Sequence, residues 1–277
     1  MNRTNLIKII IMAAVLLGEL AVWTFPMEQA IVQSPMRQEP ARQANLEITD
    51  QETNEKSESE SLPEQEQIQE QEQAQVRSQD LITQKAVDNG LMILVNKEYY
   101  LDKNYRPGDL EPIEYYAKDR SADSRFMRAE AAEQFNKMAL AGKEAGYEIV
   151  MTTAYRSYGF QSVLYNNYVA KYGQSEADKF SAKPGYSEHQ TGLAVDVSSP
   201  TVGYALTGDF DETPEWKWLS ENAERFGFIL RYPEGKTEIT GYMYEAWHFR
   251  YVGPEVAKII SDEDITLEEY IEQYLNI

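Results

Sequence analysis

Apolar positions along residues 81–277 recur in two kinds of pattern, one typical of helices and one typical of strands. Helical spacing predicts helices at Ser121–Ala145, Ser157–Tyr172, Ser175–Ala182, Pro214–Phe226, Pro254–Ser261 and Leu267–Leu275. Short apolar or β-branched runs predict strands at Leu91–Asn96, Tyr147–Tyr155, Gly192–Val197, Phe228–Tyr232 and Ala246–Val252. Because these elements interleave without the regular spacing of βαβ units, the predicted fold class is α+β.

The chain begins with a basic segment, Met1–Lys8, that leads into an apolar run. This arrangement is typical of an export signal, so residues 1–27 are predicted to be a signal peptide or a membrane anchor. The stretch Leu6–Phe25 has about the 20 residues that a single membrane span needs if it is not cleaved. A buried N-terminal helix is the alternative, but the residues that follow cannot pack on it. We therefore expect an extracytoplasmic protein that is exported and, without cleavage, tethered to the membrane.

Residues 28–80 differ in composition from the rest of the chain. They contain 13 Asp and Glu against 4 Lys and Arg, many Gln and Ser, and no aromatic residue. So little apolar surface cannot offset the entropy of ordering, which predicts a disordered linker. No apolar heptad is sustained, which argues against a coiled coil. An adhesive, partner-binding stalk remains an alternative role, and the folded domain is expected to span 81–277.

Composition excludes several classes of function. The chain has no Cys, which excludes disulfide scaffolds, thiol nucleophiles and Cys-ligated metal clusters. Its formal net charge is −20 and no basic stripe is present, so nucleic-acid binding is not expected. Only two histidines occur, His189 and His248, and any chemistry that needs an imidazole must use them.

Both histidines lie in acid-bearing segments with strand-like patterns, SEHQTGLAVDV and YEAWHFRYVG. His189 precedes Asp196 by seven residues, and a carboxylate within an apolar strand is costly unless it is paired or binds a metal. Two imidazoles and one carboxylate are a suitable ligand set for Zn²⁺, which can activate water for attack on a carbonyl carbon. Glu245, three residues before His248, is the nearest candidate for the general base.

Each of these residues also has an ordinary structural explanation. A histidine beside aromatic residues is commonly a core residue, Asp196 could cap a turn, and Glu245 could be a surface charge. Residues i and i+3 of a regular strand face opposite sides, so Glu245 must lie in the loop that enters the strand if it shares a cleft with His248.

The motif Ser187-x-His189-x₂-Gly192-x-Ala194-x-Asp196, followed by Glu245-x-Trp247-His248, resembles that of the VanY-type D-alanyl-D-alanine carboxypeptidases. These enzymes belong to the zinc peptidase family that also includes the VanX dipeptidases. The resemblance extends to Tyr155-Arg156-Ser157 with Gln161 and covers about residues 85–260. It implies a single zinc-peptidase domain with a small central antiparallel sheet flanked by helices.

The resemblance also implies roles for individual residues. His189, Asp196 and His248 correspond to the zinc ligands, and Glu245 to the general base and acid. Arg156 corresponds to a residue that stabilises the developing oxyanion or holds the terminal carboxylate of the substrate. A guanidinium suits either task, because it stays charged and forms a fork that matches a carboxylate.

Three more positions match the family's pattern. Gln161 and Ser187 correspond to substrate-contacting residues, and Trp247 is expected to line the wall of the site. Without the resemblance, Gln161 would be taken for a polar residue on a helix face, Ser187 for a turn residue and Trp247 for a core residue. By the same reasoning, Arg156 would be taken for a surface residue.

The implied function is zinc-dependent removal of the C-terminal D-Ala from peptidoglycan stem peptides, as in a D,D-carboxypeptidase. An L,D-carboxypeptidase acting on tetrapeptide stems is an alternative, because VanY-like relatives include both kinds of enzyme. Export argues against a VanX-type dipeptidase, which acts on a cytosolic substrate. A non-catalytic module that binds zinc or the cell wall is a further alternative, which the presence of Glu245 disfavours. A monomer is expected.

Overall fold

A four-stranded antiparallel sheet lies at the centre of the described part of the chain. The computed structural model describes Gln69 and residues 85–118, 120 and 124–275. The predicted signal segment 1–27 and, apart from Gln69, the predicted linker 28–80 lie outside the described residues. The described residues belong to one compact unit, Gln65–Ile277.

The strands form two antiparallel sheets. The strands are β1 (Leu110–Pro112), β2 (Phe126–Arg128), β3 (Val150–Thr153), β4 (Ala194–Ser198), β5 (Phe228–Leu230) and β6 (His248–Tyr251). Strands β1 and β2 form a two-stranded sheet, and the central sheet has the order β3-β4-β6-β5. All central neighbours are antiparallel, which confirms the predicted α+β class with a small antiparallel sheet.

Residues 85–88 are helical, seven further α-helices have both ends within the described residues, and local sequence signals explain where two of these begin. The helices are Ala129–Glu144, Tyr158–Tyr172, Gln174–Phe180, Pro214–Asn222, Thr237–Thr240, Pro254–Glu263 and Leu267–Leu275. Ser157 and Thr213 cap the second and fourth helices, each accepting a hydrogen bond from a backbone N–H of the first turn. Short 3₁₀ helices lie at Glu188–Thr191, Pro200–Val202, Gly208–Glu212 and Ala223–Phe226. Among the described residues, no helix is both long and apolar enough to span a bilayer.

The two faces of the central sheet have different chemistry, because side chains alternate along each strand. One face is apolar and packs on helix Ala129–Glu144, as the ring contacts of Phe228 with Phe135 and with Tyr251 show. The other face carries Asp196 on β4 and His248 on β6, and both side chains are buried. This polar face forms the floor of the candidate site.

One predicted element is wrong, and another begins later than predicted. Leu91–Asn96 is not a strand, because the carbonyl groups of Leu91 and Ile93 accept hydrogen bonds from the Arg250 guanidinium instead of joining a ladder. The helix predicted to start at Ser121 begins at Ala129. The preceding residues, 126–128, pair with β1 as strand β2.

Candidate metal centre and active site

Asp196 and His248 meet because they are directly paired across two strands. In the register of β4 and β6, Asp196 lies opposite His248 and Val195 lies opposite Phe249. Side chains at one register position project to the same face, so the carboxylate and the imidazole lie side by side. Asp196 Oδ1 is 2.9 Å from His248 Nδ1. The ring of Tyr232 stacks on His248 with a centroid separation of 4.8 Å.

His189 reaches the same point from a 3₁₀ turn that precedes β4. The turn ends at Gly192, whose backbone adopts the left-handed conformation (φ 70°) that returns the chain into the strand. His189 Nδ1 lies 2.8 Å from the carbonyl oxygen of Ala154. A carbonyl oxygen only accepts hydrogen bonds, so Nδ1 carries the proton and the Nε2 lone pair is left for another partner. That nitrogen points towards Asp196, with Nε2 3.3 Å from Oδ2.

The three side chains present one ligand atom each, and these atoms all lie within 4.8 Å of one another. The two imidazole rings are nearly perpendicular, at 89°, with centroids 4.9 Å apart. All three residues are buried. The cluster therefore has two nitrogen donors and one carboxylate in a buried site, a donor set that suits zinc.

The hydrogen bonds around the cluster test whether a cation fits there. Glu188 accepts from Nε2 of His248, so the lone pair of a neutral His248 is on Nδ1 and faces Asp196. When both rings are neutral, both imidazole lone pairs point at one carboxylate, and this arrangement of acceptors needs a positive charge, either a proton on His248 or a metal ion. In the metal-free protein, burial opposes protonation of His248, but hydrogen bonds to Asp196 and Glu188 raise its pKa to about 9. The residues therefore fit a metal ion.

Glu245 lies in the loop that enters β6, which is the placement that the strand geometry required. Its backbone N–H donates to Tyr232 O, and its carbonyl accepts from the N–H of His248, which closes a tight turn. The turn brings Glu245 Oε2 to 3.9 Å from His248 Nδ1. Burial raises the pKa of Glu245 to about 7 in the metal-free protein, while its side chain keeps 22% exposure. Glu245 therefore lies at the edge of the cluster, partly exposed, where it can exchange a proton.

Arg156 flanks the cluster on the side of Asp196. Its Nη1 donates to Gln161 Oε1 at 2.8 Å, and its Nη2 is 4.0 Å from Asp196 Oδ2. Gln161 in turn donates to the carbonyl oxygen of Ala182 at 2.6 Å and is buried. Among the described residues, no hydrogen bond involves Arg156 Nε. The guanidinium is thus held at one edge by Gln161, with Nη2 towards Asp196 and 15% of the side chain exposed.

Ser187 and Trp247, the two remaining predicted site residues, lie in different surroundings. Ser187 is buried at the start of the 3₁₀ turn that carries His189, and it therefore lies next to the cluster. Trp247 is partly buried and packs against the hydrophobic core, and its carbonyl accepts from Val197 N–H. Trp247 thus lies at the edge of the core next to the Glu245 turn, and its role in lining the site stays a prediction.

Sequence reasoning missed Glu188 and the two arginines that surround it. Glu188 is fully buried, and it contacts His248 as well as Arg231 and Arg250. One signal was present in the sequence, because Arg231 and Arg250 both occur within apolar strand-like runs, where a buried cation needs a buried anion. Glu188 was not recognised as that anion because it lies in a polar turn.

Comparisons with known proteins show which family this chain resembles. A sequence model of the VanY family, described as D-alanyl-D-alanine carboxypeptidase, matches residues 124–254. The YodJ protein of Bacillus subtilis (strain 168) is 39% identical over 235 residues, which cover 84% of this chain and 86% of YodJ.

Solved structures are also similar to this chain. The LdcB LD-carboxypeptidase has 46% identity and a TM-score of 0.62, over 65% of this chain and 85% of LdcB. VanYB in complex with D-alanine-D-alanine has 33% identity and a TM-score of 0.55, over 66% of this chain and 98% of VanYB. A mutant VanY from the VanB-type resistance cassette, in complex with Zn(II), has the same identity and TM-score, 33% and 0.55, over 65% of this chain and 98% of that chain.

The fold matches that of the VanY zinc-peptidase structures, and the His-Asp-His cluster lies within it, with Glu245 beside it. On the similarity to YodJ and to the VanY structures, this chain belongs to the VanY family of carboxypeptidases.

Proposed function

We propose that this chain is a zinc-dependent carboxypeptidase that removes the terminal D-alanine from peptidoglycan stem peptides. The observation that carries the proposal is the meeting of three buried ligand atoms with a carboxylate, Glu245, 3.9 Å from His248. The Zn(II) complex of a VanY relative and the D-alanine-D-alanine complex of VanYB support the choice of metal and substrate.

The zinc would be held by His189 through Nε2, by the Asp196 carboxylate and by His248 through Nδ1. When bound, zinc supplies Lewis-acid chemistry, lowering the pKa of water and polarising a carbonyl group. Three protein ligands leave room for water or substrate, as in catalytic rather than structural zinc sites.

Glu245 carries the proton through the reaction. As a carboxylate it accepts a proton from the water whose oxygen attacks the last peptide carbonyl. It then donates that proton to the nitrogen of the departing amino acid as the C–N bond breaks, so one water is consumed for each bond cut. Burial raises the pKa of Glu245 above that of an exposed glutamate, which makes its carboxylate a better proton acceptor.

Arg156 binds the negative charge of the substrate, either the terminal carboxylate or the oxyanion that develops at the scissile carbonyl. Its hydrogen bond to Gln161 fixes one side of the guanidinium, and Gln161 is itself fixed by Ala182. Fixed donors stabilise a developing charge more effectively than mobile ones, because they need no reorganisation. Gln161 and Ser187 remain proposed substrate contacts.

Two bonds are candidates for cleavage. The L,D bond of tetrapeptide stems is favoured by the similarity to LdcB, at 46% identity against 33% for VanYB. The D,D bond of pentapeptide stems is favoured by the family description and by the dipeptide bound to VanYB.

We also propose that the domain works outside the cytoplasmic membrane, where stem peptides are exposed. The support is the sequence alone, in which a basic start and the apolar stretch Leu6–Phe25 precede the acidic linker.

Mass spectrometry of stem peptides tests the proposal. The zinc-loaded full-length chain is incubated with pentapeptide and tetrapeptide stems, and the loss of one alanine is followed in each. Shortening of the tetrapeptide alone identifies an L,D-carboxypeptidase, and shortening of the pentapeptide alone identifies a D,D-carboxypeptidase. If zinc is bound and neither peptide is shortened, the catalytic proposal fails and a binding module is the better account.

A further inference from the structure

Glu188 joins the candidate metal centre to a buried ionic network. Its side chain is 0% exposed, and its Oε2 lies 3.0 Å from Nε2 of His248. Its other oxygen, Oε1, accepts hydrogen bonds from Arg231 Nε and Arg250 Nη1, both at 2.7 Å. Each carboxylate oxygen therefore has its own partners, one facing the imidazole and the other facing two guanidinium groups.

This arrangement determines which nitrogen of His248 can bind a metal. Two guanidinium groups donate to Oε1 at 2.7 Å each, and a buried carboxyl group held between two fixed cations stays ionised, so Glu188 only accepts hydrogen bonds. A neutral His248 must then carry its proton on Nε2, which leaves the Nδ1 lone pair directed at Asp196. Partners of this kind orient metal-ligating histidines and raise their basicity.

The network extends beyond the residues that match the family model, 124–254. Arg231 forms two further hydrogen bonds with Glu268, through Nη1 at 2.8 Å and Nη2 at 2.6 Å. Glu268 belongs to the C-terminal helix Leu267–Leu275 and also accepts from Asn96 at 3.1 Å. Arg250 donates to the carbonyl groups of Leu91 and Ile93.

We propose that Glu188 is a positioning residue that selects the metal-binding tautomer of His248, and that Glu268 supports it through Arg231. The proposal rests on the proposed zinc site and adds to it a dependence on the C-terminal helix. Glu188 and Glu268 together balance the charges of Arg231 and Arg250, so the buried network is neutral and each charge in it is paired.

Replacing Glu188 with glutamine shows why the charge matters. The amide oxygen is needed by the two guanidinium groups, so the amide nitrogen faces His248 and donates to Nε2. The proton of a neutral His248 must then move to Nδ1, which removes the lone pair that faces Asp196. With the amide reversed, its NH₂ group would face two buried cations. Both orientations oppose zinc binding at Nδ1.

Zinc affinity, measured by competition with a chromophoric chelator on the full-length chain, is the first test. For Glu188→Gln we expect a loss of about 10- to 100-fold, the range typical of changes to outer-shell partners of metal ligands. The matched control is Glu133→Gln, the same change at an exposed glutamate that pairs only with Lys137 among the described residues. For Glu268→Gln we expect a smaller loss in the same direction. Affinities equal to the control would overturn the roles of Glu188 and Glu268 respectively.

A second measurement needs no variant and applies even if Glu188→Gln does not fold. Long-range ¹H–¹⁵N NMR of the zinc-loaded wild type reports the protonated nitrogen of each imidazole, and the chain has only two histidines. We expect one ring protonated at Nδ1, for His189, and the other at Nε2, for His248. Two rings with the same tautomer would contradict the proposal. A wild type that binds no zinc would instead overturn the proposed function, so the two failures are distinguishable.

Discussion

Replacement of Glu245 by glutamine separates proton transfer from metal binding. Glutamine has nearly the same size, but it cannot accept a proton from water. The backbone contacts that place Glu245, to Tyr232 O and from His248 N–H, do not involve its side chain. We therefore expect the fold and the ligand cluster of His189, Asp196 and His248 to remain.

The size of the effect follows from the position of Glu245. It is not among the three residues whose ligand atoms cluster within 4.8 Å, so Glu245→Gln should still bind one equivalent of zinc. General acid–base catalysis contributes about 10²- to 10⁴-fold to rate, so kcat/KM should fall by that factor. This loss corresponds to about 2.7–5.5 kcal/mol of transition-state stabilisation.

Two measurements on the same protein decide the outcome. Zinc content by atomic emission gives the stoichiometry, and D-alanine release from stem peptides gives kcat/KM. Glu133→Gln is the control for the loss of one carboxylate elsewhere. A fully active Glu245→Gln protein would remove Glu245 from the mechanism. Loss of zinc together with activity would show that Glu245 acts through the metal site rather than as the base.

Two further predictions concern the residues beside the cluster. Arg156→Lys keeps the charge but loses the fork that contacts Gln161. We expect kcat/KM to fall about 10- to 100-fold, which corresponds to the loss of roughly one charge-assisted hydrogen bond, while the zinc content stays unchanged. Wild-type kinetics would exclude Arg156 from substrate binding. Gly192→Ala adds a Cβ to a residue with φ 70°, and this atom would lie 3.0 Å from Leu110 Cδ2. We expect the free energy of unfolding to fall by about 1–2 kcal/mol, which lowers Tm by roughly 2–8 °C. The matched control, Gly159→Ala, meets nothing within 4 Å in its helix and should leave Tm unchanged or higher; equal effects of the two changes would refute the strain argument.

Local sequence signals predicted those parts of the fold in which neighbouring residues decide the conformation. Ser157 was predicted to begin a helix and caps one, and Pro214 begins a helix as its position predicted. The spacing of His189, Gly192 and Asp196 predicted a turn followed by a strand, and the structure has a 3₁₀ turn, a left-handed glycine and β4. These signals depend on contacts within one or two turns of the chain.

The remaining features depend on contacts between distant segments. Nothing in the sequence shows that Asp196 and His248 are register partners, because they are 52 residues apart and are brought together by sheet pairing. The segment Leu91–Asn96 has the composition of a strand, but the carbonyl groups of Leu91 and Ile93 accept from Arg250. The predicted roles of the site residues stay predictions until the variants are measured.

The most direct test of the central claim is the zinc dependence of D-alanine release by the wild-type chain. The protein is stripped with a chelator, dialysed and titrated with zinc in the presence of tetrapeptide and pentapeptide stems. The account predicts no release without metal, recovery in proportion to added zinc, and saturation at one equivalent. Full activity in the stripped protein, or none on either stem with one zinc bound, would contradict it.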